Sequence, residues 1–177
     1  EMSRGLGDVY KRQRDWSRSH GVKHYYEYSG PCHQILAEEG FDLPGTVVFG
    51  TDSHTTTGGA FGCFSTGCGS TEMLGIITTG ETWVKVPETI QVIWNGHLPR
   101  GVMAKDISLK TIGTIGHAGA TYKAVEYQGV AIKELSMDER MAISNMAVEM
   151  GAKVGLIAPD EKTVAYLRDA GVGKELD

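Results

Sequence analysis

Gly50–Gly62, "GTDSHTTTGGAFG", sets Asp52, Ser53 and His54 side by side at the end of the apolar run Thr46–Phe49. A carboxylate, a hydroxyl and an imidazole in one short stretch can move protons and bind a charged substrate. A serine nucleophile is not implied, because no G-x-S-x-G surrounds Ser53. A phosphate loop is not implied either, because "GGAFGC" lacks the G-K-[ST] ending. Taken alone, the triplet also suits a plain turn held by side-chain-to-backbone hydrogen bonds.

The second chemistry-bearing stretch is Met141–Ala152, "MAISNMAVEMGA", whose one charged residue is Glu149. A helix apolar on all sides is buried, and a buried carboxylate needs a partner. Asn145, four residues earlier, falls on the same helical face. Placement of both at a solvated edge is the alternative that spacing leaves open. Of the six histidines, His33 and His54 sit at element starts, whereas His20, His24, His97 and His117 read as surface or structural. No Lys or Arg occurs from His24 to Val84, so an anionic substrate would need its cation from another segment. Cys63 and Cys68 have a spacing that is poor for zinc or a cluster. They read as free cysteines in a small-residue helix, with a redox switch as the alternative. Cys32 beside His33 is a weak thiolate pair.

These groups need elements to position them. "HYYEY" (24–28) reads as a strand and "CHQILAEEG" (32–40) as a short helix stopped by Gly40. A strand at 46–50 delivers the D-S-H stretch to its carboxyl end, where α/β sheets bind ligands. Closely packed helices follow near 60–66 and 70–78, then a strand "TWVKV" (82–86). "TIQVIWNG" (89–96) alternates and ends in Asn-Gly, a hairpin signal. "AKDISLKTIGTIG" (104–116) fits an amphipathic helix and "YKAVEYQG" a strand. Ser136 and Glu139 form a capping box that opens a helix from about Met137 to Met150. "KVGLIAP" reads as a strand, and Asp160 caps a last helix. Strands alternating with helices give an α/β class.

The net charge of −5 argues against a nucleic-acid footprint. No apolar stretch approaches the roughly 20 residues of a membrane span. Three cysteines and no secretory signal suit a reducing cytoplasm. Residues 1–13 lack an apolar period, and "DVYKRQ" resembles the translated end of a sequencing adapter, so they read as a non-native scar. Pro87 marks a boundary, giving 14–87 as the carboxyl part of one domain and 88–177 as a second. The ending "RDAGVGKELD" stops just past a helix and reads as a fragment end.

Together, "GPCHQIL", "GTDSHTTTGGAFG", "GETWVKVPETI", "GATYKAVEY" and "MAISNMAVEMGAKVGLIAPDE" resemble the aconitase superfamily of iron–sulfur hydro-lyases, in that family's order. Within it, the 3-isopropylmalate dehydratase large subunits look nearest, with homoaconitase and 2,3-dimethylmalate dehydratase sharing the segments. The resemblance implies incomplete three-layer α/β/α domains that dehydrate and rehydrate a hydroxy-diacid such as 2-isopropylmalate, a step of leucine biosynthesis. It implies that His33 pairs with Asp52 and His54 with Glu149 to handle protons. Ser53 would bind a substrate carboxylate, and Asn145 would join Asp52 and Glu149 around the reacting water. It also implies a [4Fe–4S] cluster whose cysteines lie downstream of this chain, with none of Cys32, Cys63 or Cys68 a ligand. A small-subunit partner would complete the site, so the chain alone is expected to be inactive. An RNA-binding relative is the non-enzyme alternative, which the acidic charge disfavours.

Overall fold

The computed structural model describes residues 2–172. The expectation about "RDAGVGKELD" falls partly on 173–177, outside those residues. Contacts divide the chain into two compact units, the first ending at Pro31 and the second beginning at Cys32. In the first, helix α1 (Met2–Ser19) runs straight through the point after Gln13 where the sequence changes character. Most of its described side chains are exposed, in keeping with the missing apolar period. "HYYEY" is not a strand but irregular chain. Tyr28 takes a left-handed φ of 62°, and Arg14 holds Glu27 through two hydrogen bonds of 2.6 and 2.8 Å. Aromatic composition favours a strand only where a neighbour pairs its backbone, and no such neighbour exists among the described residues.

The second unit contains two parallel sheets. Strands β1 (Val47–Gly50) and β2 (Phe64–Gly67) pair from Val47↔Phe64 onward. Strand β2 overturns the helix expected near 60–66. Small residues suit a tightly paired strand as well as a packed helix, so composition did not separate the two. Cys63 and Cys68 consequently flank a strand, one buried and one half-buried. The second sheet has the order β3 (Thr89–Ile93), β4 (Ala124–Gln128), β5 (Val154–Ile157), all parallel. Gly96 does turn, at φ 89°, but into helix α4 (Ala104–Ile115) rather than a hairpin. Asn-Gly fixes a turn locally; the partner strand is set by distant packing.

Helix α2 spans Cys32–Glu38, and α3 spans Ser70–Thr79. No residue of α3 is buried, against the close packing expected of it, and Leu74 and Ile77 stand exposed. "TWVKV" is irregular, with Trp83 84% exposed. Helices α5 (Val130–Glu134) and α6 (Met137–Asn145) follow β4. The capping box at Ser136 and Glu139 is present. The helix expected to reach Met150 instead tightens after Asn145 into a 3-10 turn, Met146–Met150. Asp160 caps α7 (Glu161–Asp169), accepting from the backbone N–H groups of Lys162 and Thr163. Ile107, Val125, Tyr127, Ile143 and Met150 share one apolar core, and Phe61, Met141 and Leu167 a second. Among the described residues no helix is long and apolar enough to cross a membrane.

Between the strands of the first sheet runs another 3-10 helix, Ser53–Phe61, which packs against α2, α6, β2 and β5. Its residues 55–61 are all buried. Gly59 is required here: a Cβ would lie 2.1 Å from the backbone oxygen of Gly155 in β5. Under the same helix lies Asp42, 1% exposed, with neither carboxylate oxygen hydrogen-bonded. Its nearer oxygen would sit 2.5 Å from a Cβ at Gly58. Arg140 of α6 is fully buried and grips both oxygens of Asp160, at 2.8 and 2.6 Å, and the backbone oxygen of Lys133. Lys162 Nζ donates to the carbonyls of Lys133, Glu134 and Leu135. The two cations thus satisfy carbonyls left open where α5 ends.

Two outcomes follow. Burial pushes the Asp42 carboxyl up to about 7 from 3.8. Between about pH 4 and 7 the unfolded chain has lost this proton and the folded chain keeps it. Stability therefore falls as pH rises through that window, by on the order of 4 kcal/mol, and levels off above it. Denaturant melts of Asp42→Asn against the parent should show this slope removed; parallel slopes would contradict it. Arg140→Met strands Asp160, whose carboxyl Arg140 holds below its usual range. Because the Asp160 side chain is 37% exposed, the loss should be about 2–3 kcal/mol, at or below the low end for breaking a buried pair. Urea midpoints measure it.

Candidate active site

The geometry starts at the carboxyl end of β1. Asp52 occupies the N-cap position of the first 3-10 helix in extended backbone, φ −96° and ψ 136°, yet its side chain makes no capping bond. The Thr55 backbone N–H donates to the Asp52 backbone oxygen at 3.2 Å, and Thr55 Oγ1 donates to the same oxygen at 2.6 Å. The carboxylate is thereby free to reach outward. Its Oδ2 lies 2.5 Å from His33 Nδ1, near the start of α2. Its Oδ1 lies 4.0 Å from His54 Nδ1. The other nitrogen of His54, Nε2, lies 3.7 Å from Glu149 Oε1. The two imidazole centroids are 5.8 Å apart. The side chains therefore alternate: imidazole, carboxylate, imidazole, carboxylate. The first contact is a strong hydrogen bond, and the other two are ion-pair distances beyond hydrogen-bond reach. The row sets each imidazole beside a carboxylate, with one hydrogen bond in it.

Ser53 Oγ lies 3.1 Å from His54 Nδ1. Asn145 Nδ2 donates to Thr57 Oγ1 at 3.0 Å, and Thr57 Oγ1 donates to the His54 backbone oxygen at 2.7 Å. Thr56 Oγ1 reaches the Asn145 backbone oxygen at 3.3 Å. Asn145 and Glu149 do not share a face. The α-helix stops at Asn145, and with three residues per turn beyond it a four-residue spacing points elsewhere. Glu149 stands at an edge, its side chain 55% exposed, but still within reach of His54.

Two recesses open nearby. The larger, about 730 Å³, lies past the carboxyl ends of β1 and β2, with Phe49, Ser53, Cys68, Tyr122 and Lys153 among its lining. The smaller, about 290 Å³, includes His33, Thr57 and Asn145. Asp52, His54 and Glu149 line neither. Among the described residues Lys153 is the one Lys or Arg lining the larger recess, and its Nζ sits 4.9 Å from the Tyr122 ring centroid. It was not foreseen, although its place in "EMGAKVG", four residues after Glu149, was available as a signal. The buried threonines 55–57 were also missed. His97 pairs with Glu134 on the surface, which raises its pKa by that hydrogen bond, and it takes no part here.

Cys32, His33 and Asp52 offer ligand atoms within 4.8 Å of one another, a set capable of holding a metal ion. Burial, and next the charge of Asp52, push the Cys32 thiol up. Cys63 is pushed up to about 11, chiefly by burial, which makes it inert. Among the described residues no group of three donors includes Cys63 or Cys68. An iron–sulfur cluster, as the resemblance implies, is held by several thiolates. One thiol, one imidazole and one carboxylate do not fit it.

Comparison with known proteins gives a consistent result. The chain is 49% identical over 160 residues to the 3-isopropylmalate dehydratase large subunit 1 of Methanopyrus kandleri, covering 90% of this chain and 38% of that protein. It is 51% identical over 165 residues to a probable methanogen homoaconitase large subunit of Methanosarcina mazei, covering 93% and 42%. It is 52% identical over 158 residues to the 3-isopropylmalate dehydratase large subunit of Halothermothrix orenii, covering 88% and 38%. The chain thus spans about two-fifths of the length of these relatives. Residues 4–176 match the profile described as the aconitase family (aconitate hydratase), and the chain belongs to that family.

Proposed function

We propose that this chain supplies a proton-handling wall of a hydro-lyase that removes water from a hydroxy-diacid and returns it. The observation that carries this reading is the row His33–Asp52–His54–Glu149, with each imidazole against a carboxylate. Elimination of water from a hydroxy-acid needs a proton for the departing hydroxyl and a base for the neighbouring carbon. His54, between Asp52 and Glu149, would deliver the first, and Asp52, hydrogen-bonded to His33, would orient that imidazole. Ser53 and Lys153 line the same recess and would take an anionic carboxylate there. Asn145, tied to Thr57, would orient the water.

The preferred substrate is 2-isopropylmalate, converted to 3-isopropylmalate in leucine biosynthesis in the cytoplasm. Relatives named for isopropylmalate and for homoaconitate match about equally well, so homoaconitate is the second candidate. A [4Fe–4S] cluster would be held by thiolates elsewhere in a longer protein, and a small-subunit partner would close the site.

In the longer enzyme with its small subunit, His54→Gln and Glu149→Gln should each lower kcat by roughly 10²- to 10⁴-fold, the worth of a positioned acid or base. Assays would compare hydration of isopropylmaleate, homoaconitate and aconitate. Unchanged kcat in both variants would remove the assignment, and no turnover of any of the three would remove the activity. Anaerobic reconstitution of this chain alone with iron and sulfide should produce no iron–sulfur absorbance band, and a stoichiometric band would contradict the placement of the cluster ligands.

A further inference from the structure

We propose that Thr57 is the positioning residue that decides which end of the Asn145 amide faces the reacting groups, so that the smaller recess beside it takes a hydrogen donor, water or a hydroxyl. The orientation of the amide stands on this chain's own hydrogen bonds, and its use in the reaction rests on the hydro-lyase reading. Thr57 is 2% exposed. Its hydroxyl meets two groups, the His54 backbone oxygen at 2.7 Å and the Asn145 amide at 3.0 Å.

A hydroxyl has one proton to give and two lone pairs. A backbone carbonyl can only accept, so the Thr57 proton goes to the His54 oxygen. What remains on the Thr57 oxygen can only accept. Were the Asn145 oxygen turned to it, two acceptors would face each other at 3.0 Å with no hydrogen between them. The amide NH2 must therefore face Thr57, and Oδ1 is left on the other side. Thr56 holds the same residue by its backbone, donating to the Asn145 oxygen at 3.3 Å. Two neighbouring threonines thus fix Asn145 in place and in polarity, and one of them also ties down the backbone of His54.

The recess supports the same polarity. It measures about 290 Å³, with His33, Gln34, Thr57, Asp138 and Asn145 in its lining. Among the described residues no Lys or Arg lines it, and the Asp138 carboxylate would repel an anion. His33 uses Nδ1 on Asp52, so the nitrogen left over is Nε2, an acceptor while the ring is neutral. Asn145 Oδ1 and His33 Nε2 then offer acceptors for the two protons of one water. The cation for a substrate carboxylate, Lys153, is in the larger recess. Thr56 lines the larger recess and Thr57 the smaller, so both open against the same turn. A carboxylate belongs in the larger, and the departing or returning water in the smaller.

NMR on this chain reads the orientation directly. An Asn145 side-chain amide proton should show a nuclear Overhauser contact to the Thr57 side chain. Absence of that contact in the unmutated chain would overturn the proposal, and this measurement does not depend on how any variant folds. The use of the amide is tested in the longer enzyme with its small subunit. Thr57→Val should lower kcat roughly 10- to 100-fold, the cost of misplacing a working group, with KM little changed. Thr57→Ser keeps the hydroxyl and should recover most of that loss. A kcat in Thr57→Val equal to the parent's, or an equal loss in Thr57→Ser, would overturn the role given to the hydroxyl. A parent enzyme that hydrates none of isopropylmaleate, homoaconitate and aconitate would instead remove the hydro-lyase reading, and with it the use of the amide, while the NMR contact still decides its orientation.

Discussion

The arrangement depends on one close approach. The 3-10 helix Ser53–Phe61 rests on the backbone of β5, and only a residue without a Cβ at position 59 permits it, since that atom would fall 2.1 Å from the Gly155 oxygen. The approach joins the two small sheets, because this helix leaves β1, returns as β2 and presses on β5 and α6. It also sets the distance between His54, on this helix, and Glu149, on the turn before β5. A helix held off by a methyl group would carry His54 away from that carboxylate, whose separation is already 3.7 Å. Backbone packing deep in the unit thus decides contact between two side chains at its edge.

The run of threonines serves the same constraint. Their hydroxyls donate to backbone oxygens of Asp52, Asn145 and His54, and Ser65 returns a bond of 2.6 Å to the Thr55 oxygen. A short 3-10 helix has poor internal hydrogen-bond geometry. Buried hydroxyls supply what its backbone lacks. The Thr55 backbone N–H goes to the Asp52 backbone oxygen, and the Asp52 side chain makes no capping bond, although an aspartate at that position ordinarily does. The carboxylate instead meets His33.

How much of this was legible in the sequence depended on range. Features set within a few residues read correctly: the capping box at Ser136 and Glu139, the Asp160 cap, the end of α2 near Gly40, and the amphipathic α4. Features that need a distant partner did not. "HYYEY" and "TWVKV" have strand composition, but no described strand pairs with them. Asn95–Gly96 turns as expected but feeds a helix, since the neighbour of β3 is β4 beyond α4. Asn145 and Glu149 were placed on one face by an α-helical period that the chain abandons after Asn145. The lack of Lys and Arg from His24 to Val84 sends the cation to another segment, but only the fold brings Lys153, at the entry to β5, to the recess.

The electrostatics of the row also say what it needs in order to work. His54 and Glu149 meet at 3.7 Å with side chains 36% and 55% exposed. Ion pairs in such contact with water contribute about 0–1 kcal/mol. The same pair in a less polar surrounding interacts several times more strongly. His33 and Asp52 differ, at 2.5 Å and with side chains 21% and 28% exposed, so that half of the row is the better organised. Polar walls of this kind gain strength when another surface excludes water from them. The relatives are more than twice as long as this chain, so further protein is available in them to do the covering. On that reading the open edge at Glu149 is the part of the wall whose chemistry depends most on what closes over it, and the His33–Asp52 contact the part that the chain builds for itself.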